Sequence, residues 1–279
     1  MTVEADAKGE VRPAKNGETV YARFSTAAFL EAMRTLAAVS PAARITLDED
    51  GMNVEAVDPA HVERISLTLP ASEGPTGEIE FGVDVEDVRD FVKRVMRSKR
   101  LAYAWTDLRI APGDVPKITV KVGRFSKRFR YEDPADIAKP EKLELPGARA
   151  AATVDATEFR DALDVLSDSE DYVKLSLAPE GVGEPGLVIR ANHSDNETTY
   201  RVGLSQLDYA KDVAPDLVNP DAHSMFPTSY IRGVIDALAD NGGKVTLAVG
   251  LDYPLRMLWS TERGKVEVLI APRITNDDE

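Results

Sequence analysis

The sequence predicts an α+β protein of antiparallel sheets with single helices, assembled as a duplication within a duplication. Three observations predict it. A strand-like segment, one amphipathic helix and three or four more strand-like segments recur in that order four times. Short turns, not helical crossovers, join most of the strands. The helices come singly, each with one apolar stripe.

A strand-like 19–24 leads to Ser25, a suitable N-cap, and to a helix with Phe29, Ala32, Met33 and Leu36 on one face. Strands at 43–47 and 52–57 flank Asp48-Glu49-Asp50-Gly51, a hairpin turn with glycine where positive φ is needed. Residues 61–69 alternate as a strand. Asp84 caps a second helix whose apolar face is Val85, Val88, Val92 and Val95, and strands follow at 101–105, 108–111, 117–122 and 128–131. The second half repeats this order. Asp155 and Glu158 have capping-box spacing ahead of Phe159, Ala162, Leu163 and Leu166. Strands follow at 172–178, 186–191 and 198–205. A fourth helix carries Ile231, Val234, Ile235 and Leu238, before strands at 244–249, 254–260 and 266–271. The implied divisions are a polar tail at 1–18, a domain at 19–131, a proline-stiffened linker at 132–147, a domain at 148–274 and an acidic tail at 275–279.

The chain has 279 residues with a hydrophobic share of 43%, enough for a sizeable core. Its apolar runs fall far short of the roughly 18–20 residues of a membrane-spanning helix. The opening Met-Thr-Val-Glu-Ala-Asp lacks the basic-then-apolar order of a secretory signal, so a cytoplasmic protein is expected. There is no cysteine, which excludes disulfides, thiolate metal sites and cysteine nucleophiles. His61, His193 and His223 have no shared helical or hairpin spacing, so no histidine-built metal site is expected.

The net charge of −14 is unevenly spread: −2 over residues 1–150 and −12 over residues 151–279. Between Arg89 and Arg130 stand thirteen basic residues and three acids. Asp outnumbers Glu, 26 to 22, and Arg outnumbers Lys, 21 to 13. That pattern fits a halophilic cytoplasm, where salt screens the repulsion of a dense carboxylate surface.

Motifs for chemistry are missing. The DEDG turn has its glycine too early for a calcium loop. Gly242-Gly243-Lys244 lacks the rest of a phosphate loop, and neither GxSxG nor a strand-borne GxGxxG occurs. His61 is a lone histidine at a strand start. No catalytic residue and no cofactor is assigned, and the chain reads as a non-enzyme. The second helix does stand out. Arg89, Lys93, Arg97 and Arg100 form one stripe opposite the valines, a pitch suited to phosphate contacts without base stacking.

In order and spacing, Asp48-Glu49-Asp50-Gly51-Met52, Ala56-Val57-Asp58-Pro59-Ala60-His61-Val62, Phe81-Gly82-Val83-Asp84-Val85, Asp133-Pro134 and Leu269-Ile270-Ala271-Pro272-Arg273-Ile274 resemble the archaeal sliding clamps of the proliferating cell nuclear antigen (PCNA) type. The resemblance runs over 22–274. It implies two like-folded domains, a head-to-tail homotrimeric ring with sheets outside and helices lining the hole, and no catalysis. It implies encircled double-stranded DNA, bound without sequence preference. DNA polymerase, a clamp loader, flap endonuclease and ligase would be tethered through short peptides for replication and repair.

The resemblance implies DNA-facing residues Arg89, Lys93, Arg97, Arg160 and Arg232. It places a partner-peptide pocket at Val57, His61, Arg64, Ile137, Leu143, Pro254, Ala271, Pro272, Arg273 and Ile274, with Arg64 standing where the family has an apolar residue. It implies a subunit contact between about 126–131 (Lys127, Arg128, Arg130) and 198–205 (Thr199, Arg201), near Asp161 and Asp164. Asp161, Asp164 and Asp236 stand where the family tends to be basic, so DNA contact should lean on Arg89 and Lys93. Two rival readings remain: a subunit of a heteromeric ring, and a magnesium-dependent DNA-processing enzyme built on the acidic patches.

Overall fold

A computed structural model describes residues 18–97, 104–113, 115–140, 150–167, 171–178, 186–193, 196–203, 223–239, 242–250, 253–261 and 263–273. The unit strand-helix-three strands occurs four times. The first is β1 (Val20–Ser25), α1 (Thr26–Val39), β2 (Ala42–Asp48), β3 (Gly51–Val57) and β4 (Glu63–Leu69). The second is β5 (Ile79–Asp84), α2 (Val85–Met96), β6 (Trp105–Ala111), β7 (Lys117–Val122) and β8 (Phe125–Phe129). The third is β9 (Ala150–Asp155), α3 (Ala156–Ser167), β10 (Tyr172–Ala178), β11 (Gly186–His193) and β12 (Asn196–Gly203). The fourth is β13 (His223–Pro227), α4 (Thr228–Ala239), β14 (Lys244–Val249), β15 (Leu255–Thr261) and β16 (Gly264–Ile270).

The first strand of each unit pairs into its sibling's sheet. The sheets run β1-β6-β7-β8, β12-β11-β10-β13 and β5-β2-β3-β4-β16-β15-β14-β9. The last is continuous because β4 pairs antiparallel with β16, from Glu63↔Ile270 to Thr68↔Lys265. All pairings are antiparallel, as the short turns require. Apolar residues at alternate positions face inward, and α2, α1, α4 and α3 pack side by side in that order. The buried set forms one cluster, with Phe24 against Phe29 at 5.7 Å and Phe91 edge-on to Phe129 at 5.8 Å.

Several elements differ from the sequence reading. It placed no strand at 79–84, 150–155 or 223–227. These segments lack a local hairpin partner, and each finds one in the sibling unit, as in Ala42↔Asp84 and Lys174↔Met225. Residues 105–111 form one strand, not the end of one and the start of another. The hairpin closes at Gly123 (φ 58°) and Arg124, so β8 starts at Phe125 and ends at Phe129, ahead of the expected 128–131. β4 starts at Glu63, because His61 lies in a turn with φ 58°. Ser25 precedes α1 without a side-chain cap, and the Thr26 amide donates to the Ala104 carbonyl at 2.9 Å instead. Half of the expected capping box forms: Asp155 Oδ1 accepts from the Glu158 amide at 3.0 Å. The Glu158 carboxylate turns to Tyr200.

The DEDG turn serves itself. Asp48 Oδ1 accepts from the Asp50 amide at 3.0 Å and from Asn53 Nδ2 at 2.8 Å. Gly51 has φ 118°, and a Cβ there would lie 2.3 Å from the Leu69 carbonyl oxygen on β4. Gly51→Ala is therefore expected to cost about 1–3 kcal/mol through backbone strain and displacement of β4. Gly113→Ala meets only ordinary contact at 3.6 Å and is expected to be nearly neutral. Denaturant midpoints of the two variants check this.

Candidate nucleic-acid interface and partner pocket

Helix α2 forms where the charges favour it. Asp84 accepts from the Asp87 amide at 2.8 Å; Glu86 and Asp87 lie in the first turn, Lys93 and Arg94 in the last. Burial of Val85, Val88, Val92 and Val95 leaves the basic stripe on the other side. Arg89 is not a free cation there. Its Nε donates to Asp90 Oδ1 at 3.0 Å, and its Nη1 lies 3.5 Å from Glu86 Oε1. That hydrogen bond holds the Asp90 carboxyl below the usual range. Lys93 and Arg97 form no ion pair among the described residues. Arg100 lies outside the described residues.

The arginines of the second half are matched by acids. Arg160 lies 3.6 Å from Asp161. Arg232 on α4 reaches Asp164 on α3 at 2.7 Å and Asp236 at 3.9 Å, so the pair links the two helices. Asp164, expected at a chain edge, is thereby engaged in the α3–α4 seam. These pairs are half-exposed and each adds little stability, but they cancel the charge a phosphate would meet.

The 57–64 loop is organised by Asp58, which is buried. Its Oδ1 accepts from the Val62 and Glu63 amides, each at 2.6 Å. Its Oδ2 accepts from the Ala60 amide at 3.0 Å and from the Tyr230 hydroxyl of α4 at 3.3 Å. A carboxylate with four donors replaces its lost hydration. Nearby, the Ala271 amide donates to the Val62 carbonyl and the Arg273 amide to the Met225 carbonyl, both at 2.8 Å. The Arg273 guanidinium stacks over Tyr172 at 4.5 Å.

This brings Val57, His61, Arg64, Pro254, Ala271, Pro272 and Arg273 to one end of the eight-stranded sheet. Arg64 is cross-strand from Val57 and Leu269, its guanidinium 3.4 Å from Glu55. Ile137 is not among them. Its Cδ1 seats over Gly82 of β5, where a Cβ would come within 2.5 Å, and β2 and β3 intervene before β4. Leu143 and Ile274 lie outside the described residues.

Sequence reasoning missed Glu63. It is 1% exposed, and its Oε1 has no hydrogen-bond partner among the described residues. Strand alternation could have found it, since Glu63 shares the inward parity of Ile65, Leu67 and Leu69. Burial, and then the charge of Asp58, push its carboxyl up to about 8. The folded chain holds that proton at neutral pH, while the unfolded chain releases it near 4.5.

At the ends of the helix row lie β8 and β12. Other edges are covered: β1 by Glu73, β5 by Glu132 and β13 by Arg273. No main chain pairs with the outer side of β8 or β12 among the described residues, nor with that of β9. Arg128 and Arg130 are exposed and form no ion pair among the described residues. Lys127 is occupied, 3.5 Å from Asp87 and over the Phe129 ring at 4.7 Å. On β12, Thr199 and Arg201 are exposed. Tyr200 turns inward and donates to Glu158 at 2.7 Å; burial first, and then that bond, push its hydroxyl up to about 12. Asp161 is exposed beside it. The sequence reading also missed two exposed apolar side chains at these ends, Phe125 (47% exposed) on β8 and Val165 (70%) on α3.

Comparison with known proteins agrees with this architecture. The chain is 26% identical over 253 residues to the DNA polymerase sliding clamp of Methanothrix thermoacetophila, covering 88% of this chain and 95% of that one. It is 27% identical over 250 residues to that of Thermoplasma volcanium, covering 86% and 92%. The chain is a relative of the archaeal DNA polymerase sliding clamps. No family profile matches it. Among solved structures it is similar to A. fulgidus PCNA bound to the C-terminal region of FEN-1, with a TM-score of 0.74 and 23% identity over 92% of this chain and 100% of that one. Thermococcus kodakaraensis PCNA gives 0.73 and 21% over 91% and 100%. These two likenesses show the PCNA fold.

Glu63 supplies a test of the pocket loop. Its raised carboxyl makes stability fall as pH rises from about 4.5 to about 8, above which the loss levels off. Glu63→Gln removes the titration. The variant's melting temperature should gain on the parent steadily across that window, measured by thermal melts at constant ionic strength.

Proposed function

We propose that the chain is a sliding clamp that closes with two further copies into a homotrimeric ring around duplex DNA. The observation that carries this is the helix row α2-α1-α4-α3, flanked at its two ends by the unpaired edges of β8 and β12. An edge strand without a partner invites another chain. Two different edges at opposite ends make a head-to-tail contact, which closes as a ring when the rotation allows it. Strand pairing of β8 with a neighbour's β12 would cover Phe125 and Val165 and put Arg128 and Arg130 at the seam. The kinship with archaeal DNA polymerase sliding clamps supports the same reading.

Encirclement makes retention topological, so the helices need only weak phosphate contacts that permit sliding. Lys93 and Arg97 supply them in each copy, Arg89 being held by Asp90 and Glu86. Arg160 and Arg232, matched by acids, contribute little. No catalytic step is assigned. Partner enzymes, among them polymerase, flap endonuclease, ligase and the loader, dock by extended peptides at the cluster of Val57, His61, Arg64, Pro254 and Ala271–Arg273, pairing with the backbone of that last segment. The solved complex of a FEN-1 C-terminal region with A. fulgidus PCNA supports such docking.

Lys93→Glu with Arg97→Glu should lower polymerase stimulation on primed circular DNA severalfold without changing molar mass. Unchanged stimulation would remove the helix row from DNA. Scattering measurements test closure. Net charge −14 sets copies repelling, so trimer mass should persist in molar salt and fall at low salt. Arg128→Glu with Arg130→Glu should give monomers in both. A pure chain that never trimerises would favour a mixed ring.

A further inference from the structure

The thirteen basic residues between Arg89 and Arg130 do not all go to α2. Lys127 turns inward to Asp87 of α2, but Arg109, Lys117, Lys121 and Arg128 stand on the other face of the β1-β6-β7-β8 sheet, away from the row of helices. Thr106, Leu108, Ile118 and Val120 are buried inward, so the alternate positions point out. Cross-strand register lines these up as Tyr21–Arg109–Thr119–Arg128, then Arg23–Asp107–Lys121–Ser126, with Lys117 beyond.

The carboxylates here are already matched: Asp107 within the rows, and Glu73, which bridges to β1 beside Arg23 and pairs with its Nη1. Asp107 accepts from Arg23 Nε at 2.7 Å and from the Tyr21 hydroxyl at 3.0 Å. Burial alone would raise its carboxyl, but those two bonds outweigh it and keep Asp107 ionised against Arg23. Lys117, Lys121 and Arg128 form no ion pair among the described residues, and Arg109 only stacks on Tyr21 at 5.5 Å. Several surface arginines elsewhere are paired with acids, as at Arg44–Glu80 and Arg256–Glu267. Trp105, 49% exposed, opens β6 on the same outward parity, opposite Ser25 of β1.

We propose that the outward face of this sheet binds single-stranded nucleic acid, with Arg109, Lys117 and Lys121 on phosphates and Trp105 stacked on a base. Alternate residues along a strand are about 6.7 Å apart and neighbouring strands about 4.8 Å, so the cations form a grid that a flexible backbone can follow. Unpaired cations beside an exposed aromatic are the pairing that sequence-tolerant single-strand binding uses. A flat sheet offers a rigid duplex few simultaneous contacts. An acidic protein segment would use the cations and leave Trp105 without a role.

The full chain is titrated with oligothymidylate of about twenty nucleotides at low salt, following tryptophan emission. The chain has two tryptophans, and Trp259 is only 4% exposed, so quenching reports Trp105. Saturable quenching is expected. Arg109→Glu with Lys121→Glu should weaken binding at least tenfold and flatten the log–log salt dependence by about 1.4, at about 0.7 per phosphate contact. Circular dichroism melts establish that this variant is folded, and scattering that its mass is unchanged. Lys93→Glu with Arg97→Glu should leave the quenching curve in place, which separates this face from the ring interior. Equal affinity in the Arg109–Lys121 variant, absence of quenching, or tighter binding of polyglutamate than of the oligonucleotide would each overturn the proposal.

Discussion

The rest of this structure depends on the exchange of first strands between sibling units. β1 completes the sheet of β6, β7 and β8, while β5 completes that of β2, β3 and β4; β9 and β13 do the same in the second half. Neither unit of a pair can close its sheet alone. Each exchanged strand runs directly into its helix, so the exchange also sets α1 against α2 and α3 against α4. The β4–β16 ladder then joins the halves and aligns α1 with α4. A single row of helices follows from these backbone bonds, and at its ends β8 and β12 each keep one edge without a main-chain partner among the described residues.

Electrostatics acts on this frame with a division between faces. The helix row carries arginines that are largely neutralised by neighbours, Arg89 by Asp90 and Arg232 by Asp164. Contacts weakened in this way suit a ring that must move along DNA, because tight phosphate binding would hold it in place. Besides Lys93 and Arg97 of that row, the cations without an ion pair among the described residues include Arg109, Lys117 and Lys121 on the outward face of the β1-β6-β7-β8 sheet. Asp58 illustrates the opposite regime: a buried carboxylate satisfied by three amides and a tyrosine holds the 57–64 loop against α4. Glu63, one turn of the pleat away without such donors, keeps its proton.

The sequence by itself determined the repeat, the four helices and most of the strands, because alternation of period 2 and stripes of period 3.6 are local properties of the side chains. The valines of α2, the cap at Asp84 and the Gly51 turn were legible for that reason, and so was the acidic character of α3. Tertiary structure alone decided the rest. The strands at 79–84, 150–155 and 223–227 exist because a distant strand supplies their hydrogen bonds, and no local pattern announces such a partner. The state of a charge is likewise not written in its spacing. Arg89 and Lys93 share one stripe, yet only Arg89 finds carboxylates within reach; Ile137 belongs to the linker, yet packs on Gly82 instead of beside Arg64. Charge pairing and burial depend on what folding brings across from other elements, which is why the protonated Glu63 and the outward cation rows emerged only in three dimensions.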